Sequence, residues 1–96
     1  MRQTYVVTYD ICEPKRLRRV HRILLGYGER LQYSVFRCEL SDREVVELRG
    51  RLSEVIHHRE DQVLFVDVGP AGGKAREAFA AIGRAYDHEE MRVIVV

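Results

Sequence analysis

The spacing of apolar residues changes period repeatedly along a chain of only 96 residues, and this restricts the fold more than any other feature. Residues 4–9 (TYVVTY) are β-branched and aromatic and predict a strand that ends at Asp10. Pro14 suits the first turn of a helix, where its missing N–H costs nothing. Leu17, Val20, Leu24 and Tyr27 then recur at helical spacing, with Ile23 beside them, until Gly26 and Gly28 mark the end. Alternation returns over residues 31–40, but its phase slips. Leu31, Tyr33 and Val35 share one face, whereas Phe36, Cys38 and Leu40 share the next, so Val35–Phe36 is expected to carry a bulge, a sharp bend or a boundary between two short strands. In Gln32–Phe36 (QYSVF) an aromatic beside a hydroxyl and an amide could contact a nucleotide, but periodicity alone assigns Tyr33, Val35 and Phe36 to the core.

Ser41 and Glu44 form a capping box. The apolar stripe Val45, Leu48, Leu52, Val55 and Ile56 behind them predicts a second helix, ending in the cations His57, His58 and Arg59. Residues 62–68 (QVLFVDV) predict another strand, 69–73 (GPAGG) a turn, 75–86 a short helix broken at Gly83, and the final MRVIVV a last strand. The order is βαββαβ with an additional C-terminal strand: an α+β, ferredoxin-like split-βαβ arrangement in one domain, residues 1–96, with helices over one face of a mainly antiparallel sheet. An apolar strand left free at the chain end invites pairing. It joins either its own sheet or that of a second subunit, and the second option predicts a homodimer. Dimerisation would also help a chain that buries only roughly 60–68% of its unfolded surface.

Composition narrows the setting. Apolar residues make up 46% and charged residues 32%, as in a soluble globular domain and unlike a disordered one. No apolar stretch approaches the roughly 18 residues that cross a bilayer, and the charged, alternating N-terminus reads as a strand instead of a signal peptide. The expected address is the cytoplasm, with no membrane partner. Cys12 and Cys38, the only cysteines, are too few for a disulfide scaffold and lack CxxC spacing for zinc; both are expected to be reduced.

Net charge is +1, yet residues 1–40 carry +4 and residues 41–96 carry −3, which points to an anionic partner on the N-terminal part. The charge concentrates on the first helix, in Lys15, Arg16, Arg18, Arg19 and Arg22 with His21 among them, and no acid lies between Pro14 and Gly28. Such a ridge suits phosphate, which guanidinium groups grip bidentately; alternatively it is a solvated face paired with acids from residues 41–61. Arg30 and Arg37 flank the QYSVF segment and extend the positive surface. Asp10, where the first strand leaves the sheet, either holds a hard cation such as Mg²⁺ or stabilises the start of the following helix. One carboxylate per chain is thin for a metal, but a two-fold dimer would supply a pair. GPAGGKA fails the phosphate-loop pattern GxxxxGK[ST], the histidines lack ligand spacing, and no nucleophile elbow occurs. On fold alone, a messenger-RNA-cutting toxin or regulator stays open.

The segment TYVVTYDICEPKRLRRVHRILLGYGERLQYSVFRCEL resembles the signature half of the small CRISPR-associated endoribonuclease family, partners of the integrase in spacer acquisition. Tyr9–Asp10 closes the first strand, the basic helix with Arg19 follows, and Gly28, Arg30, Gln32, Ser34, Val35 and Phe36 match a GxRxQxSVF-like string. The resemblance implies a ferredoxin-like homodimer and assigns Asp10 as the metal-binding, catalytic aspartate at the dimer interface, with Mg²⁺ or Mn²⁺ as cofactor. It links Tyr9, Arg19, Arg30 and Phe36 to activity or nucleic-acid contact; Arg16 and Arg18 straddle Leu17, so both are candidates for a further helix arginine. It also implies an integrase dimer as partner and RNA or duplex DNA as substrate, with a non-catalytic DNA-bridging adaptor as the alternative role.

Overall fold

Strand β1 (Arg2–Asp10) pairs on both sides, and this fixes the rest of the sheet. The computed structural model describes residues 1–84. Along them follow α1 (Pro14–Leu25), β2 (Glu29–Gln32), β3 (Val35–Ser41), α2 (Asp42–Val55), β4 (Gln62–Pro70) and the short α3 (Gly73–Glu77). The four strands lie in the order β2-β3-β1-β4, every pair antiparallel. This is the ferredoxin-like α+β arrangement that the element order predicts.

Register sorts the two faces. Val7 stands opposite Phe36 on β3 and Phe65 on β4, Tyr5 opposite Cys38, and Tyr9 opposite Val63. These side chains share the face under the helices, where Val7, Val20, Leu24, Phe36, Cys38 and Leu48 are sealed from solvent. Burying each large aliphatic or aromatic side chain contributes about 1.5–3 kcal/mol. The helix stripes behave as their spacing predicts: Leu17, Ile23 and Tyr27 pack beside Val20 and Leu24, and Val45, Val55 and Ile56 beside Leu48 and Leu52. Val6, Thr8, Leu64 and Val66 take the other face, on which Leu64 and Val66 stay half-exposed. The chain after α3 returns over part of this open face, where the Arg37 guanidinium stacks on the Phe79 ring at 5.4 Å.

Several sequence expectations change. The phase slip in residues 31–40 is a boundary between two strands, and the break falls at the turn Tyr33–Ser34, before Val35. Tyr33 therefore leaves the alternation and is 72% exposed, not a core residue. Helix α2 has its capping box, with the Glu44 N–H donating to Ser41 Oγ and the Ser41 N–H to Glu44 Oε1, but it stops at Val55. His57, His58 and Arg59 lie beyond it, although the His58 ring still reaches the Ser53 carbonyl at 2.8 Å. Strand β4 runs on through Gly69 to Pro70, where a turn is expected, and helix α3 begins at Gly73 and ends at Glu77. The final strand MRVIVV falls outside the described residues, as does its choice of partner.

Gly28 sets how closely α1 returns to the sheet. Its N–H donates to the Leu24 carbonyl at 3.0 Å, and a Cβ at this position would stand 2.5 Å from the Cys38 sulfur and closer still to the Arg37 carbonyl. Backbone cannot yield as a flexible side chain can. Gly28→Ala is expected to cost about 2–3 kcal/mol, the range of core overpacking, and to lower the melting temperature by about 10 °C or more. Calorimetry beside Gly50→Ala, where a Cβ meets nothing within 4 Å, checks this.

Candidate nucleic-acid interface

The end of β1 delivers two neighbouring residues to opposite faces. Tyr9 points under the helices and is 7% exposed, whereas Asp10, the last residue of the strand, is exposed. The Tyr9 hydroxyl donates to the Tyr33 carbonyl at 3.1 Å and lies 3.1 Å from His21 Nδ1. A phenol has one proton, and a carbonyl can only accept. Both contacts are therefore satisfied when His21 carries its proton on Nδ1 and donates to Tyr9, leaving Nε2 as an acceptor. Burial, and then the nearby Arg30 charge, hold the His21 imidazolium below its ordinary pKa, so the neutral ring is favoured. Burial pushes the Tyr9 phenol up. The His21 ring stands edge-on to Phe36 at 5.5 Å.

This polar pair forms one wall of a hollow of about 300 Å³ between α1 and β2. Leu17 and Leu25 give it an apolar side; Arg18, Arg22 and Arg30 surround it with positive charge, and Tyr33 stands at its margin. None of these three arginines makes an ion pair among the described residues. Of the residues singled out in the sequence, the hollow collects Tyr9, Arg18 and Arg30, with His21 and Arg22 of the basic ridge. Arg19 is exposed on α1 but does not line it.

Two candidates are placed elsewhere. Phe36 is fully buried between Tyr9, 6.3 Å away, and His21, so it supports the hollow from below and cannot touch a nucleic acid. Arg16 is drawn into an ion-pair network, with Nε donating to Asp61 Oδ2 at 2.7 Å and Nη2 to Glu60 Oε1 at 3.1 Å. The pairing of the basic helix with acids from 41–61 is thus real for Arg16. Asp10 does not cap α1; Glu13 does, accepting from the Lys15 and Arg16 N–H groups. The Asp10 carboxylate has no hydrogen-bond partner among the described residues and faces the cross-strand neighbour Gln62. No group of three or more metal-ligating side chains forms among the described residues.

Sequence reasoning had His21 and Arg22 on the basic ridge and Tyr33 in the core, and missed that the three meet around one recess. The i, i+4, i+8 row Leu17–His21–Leu25 was the available signal. Asp61 had none, because its partners lie 45 residues away in Arg16 and 49 in Cys12.

Asp61 holds the Asp10 end of the sheet together. Its side chain is closed to solvent and accepts from Arg16 Nε, the Cys12 N–H at 2.9 Å and the His57 N–H at 2.8 Å. The Arg16 hydrogen bond, above all, holds its carboxyl well below the usual carboxylate range. A lowered folded pKa stabilises at every pH above the unfolded value of about 3.9, and that contribution is lost as pH falls toward the folded value. Asp61→Ala also strands two backbone donors, so it is expected to cost about 2 kcal/mol or more at pH 7. Urea melts should show the same gap from wild type at pH 5 and a narrower one at pH 3; a gap constant through pH 3 would remove the ion pair from the account.

Similarity to known proteins agrees with this geometry. Residues 3–74 match the family described as CRISPR associated protein Cas2. The chain is 33% identical over its full length to the full length of a CRISPR-associated endoribonuclease Cas2 of Geobacter sulfurreducens. It is 46% identical over 66% of its length, and 69% of the relative's, to one of Thermodesulfovibrio yellowstonii. Among solved structures, Streptococcus pyogenes Cas2 superposes with a TM-score of 0.71 at 31% identity, covering 83% of this chain and 99% of that one. With the ferredoxin-like sheet and the Tyr9–Asp10 strand end in place, these likenesses settle the kinship: the chain belongs to the CRISPR-associated Cas2 family.

Proposed function

We propose that this chain is a metal-dependent endonuclease of CRISPR adaptation, acting in the cytoplasm as a homodimer with Asp10 as its catalytic carboxylate. The observation that carries the reading is the Asp10 side chain: exposed, without a hydrogen-bond partner among the described residues, and one residue from the cationic hollow. An unpaired carboxylate fits Mg²⁺ or Mn²⁺, which take oxygen ligands. The described residues of one chain bring too few ligands together, so two copies of Asp10 across a two-fold axis would hold the ion. The half-exposed Leu64 and Val66, on the face to which Asp10 turns, support an interface there. When bound, such an ion supplies Lewis-acid chemistry at a phosphate. The protein's own part is to fix the strand end through Asp61 and Arg16, and to hold the polynucleotide by Arg18, Arg19, Arg22 and Arg30. The curated relatives are named endoribonucleases, which supports RNA as substrate, single-stranded in our reading, with duplex DNA as the other option.

A second reading is a non-catalytic adaptor that bridges incoming DNA and the spacer-acquisition integrase. The lack of a ligand cluster within the described part of one chain favours it. Both readings use the same arginines, so binding should weaken steeply with salt.

The two separate at Asp10. Asp10→Ala, or EDTA with wild type, is expected to lower cleavage of single-stranded RNA or duplex DNA by about a hundredfold, the scale of losing one charge-stabilising group, while binding stays near wild type. Equal cleavage by both proteins would take Asp10 out of the chemistry. Normal spacer acquisition with Asp10→Ala, together with its failure on charge reversal of Arg18 and Arg19, would establish the adaptor instead.

A further inference from the structure

The hollow between α1 and β2 is built unlike a surface that only grips phosphates. A phosphate ridge needs positive charge and nothing else, yet here the charge surrounds an apolar recess. Leu25 is 48% exposed beside it and Tyr33 72% exposed at its margin. Tyr33 sits in the two-residue turn between β2 and β3, with its carbonyl tied to the Tyr9 hydroxyl at 3.1 Å. Its backbone is therefore fixed while its ring buries little, as suits a platform on which a flat ring can stack. On the inner wall, His21 Nε2 has no protein partner among the described residues, and the proton on Nδ1 leaves it an acceptor for a ring N–H. Arg18, Arg22 and Arg30 make no ion pairs among the described residues and supply charge for phosphates on either side of the ring. A flat ring with polar N–H edges and flanking anionic groups describes a nucleotide.

We propose that this hollow seats one unpaired nucleobase of a single-stranded nucleic acid, stacked on Tyr33, hydrogen-bonded to His21 Nε2 and flanked by phosphates on Arg18, Arg22 and Arg30. A volume of about 300 Å³ is at the small end of ligand sites and takes one ring system, not a stacked pair. Bases within a duplex are stacked and paired, so only a single strand or an unpaired end presents one. The assignment deepens the nucleic-acid reading above but does not depend on cleavage.

Binding measured on the Asp10→Ala protein in EDTA keeps the two apart, since no cutting is needed. The probes are a short single-stranded oligonucleotide, the same strand made abasic throughout, its duplex, and free AMP. The single strand is expected to bind about tenfold more tightly than the abasic strand, the usual scale for one stacked base. Tyr33→Ala should erase that difference and Tyr33→Phe restore it. A 2-aminopurine in the strand should be quenched by the Tyr33 protein and not by Tyr33→Ala. Because Tyr33 acts on the fold through its backbone carbonyl, circular dichroism should show both variants folded. Equal affinity for normal and abasic strands, or a gap that survives Tyr33→Ala, would overturn the proposal. Duplex binding with the same Tyr33 dependence would overturn the requirement for an unpaired base. AMP binding more tightly than the strand would overturn its assignment to a polynucleotide.

Discussion

Three separate stretches of chain meet on one buried carboxylate. Asp61 receives the guanidinium of Arg16 from the first turn of α1, the backbone N–H of Cys12 from the loop after β1, and that of His57 from the loop after α2. Charge-assisted hydrogen bonds of this kind are about twice as strong as neutral ones. Two parts of the proposed site begin at that junction. Tyr9 and Asp10 precede the loop it anchors, and the basic helix begins with the arginine it holds. The network also explains why only some of the positive charge is available: Arg16 is committed to structure, while Arg18, Arg22 and Arg30 remain to receive an anion.

Much of the fold was legible in the sequence because two periodicities and a few caps agreed with one another. The β1 strand, the α1 stripe and the Ser41–Glu44 box are local features, each written within one element. The errors arose where a local pattern had two physical solutions. A phase slip in 31–40 is produced equally by a bulge and by a tight turn, and periodicity could not tell that Tyr33 occupies a turn. The cations 57–59 suited a helix end, but α2 had already stopped at Val55.

The candidate site was legible in parts. Asp10, Arg18 and Arg30 could be singled out from their position or charge. Arg16 could not be separated from them, since its partner is distant in sequence and near only in space. Phe36 carried two conflicting signals, a core-phase position and a place in a shared string of residues. The packing resolves them: its ring underlies Tyr9 and His21, so the string reflects support of the hollow and not contact with a ligand.

The opposite facing of Tyr9 and Asp10 has a geometric consequence for any polymer that reaches both. A strand threaded past the tyrosine side must turn round the rim of the sheet before a backbone linkage comes level with the aspartate. The stretch spanning that corner is measured by the thickness of the protein at that edge.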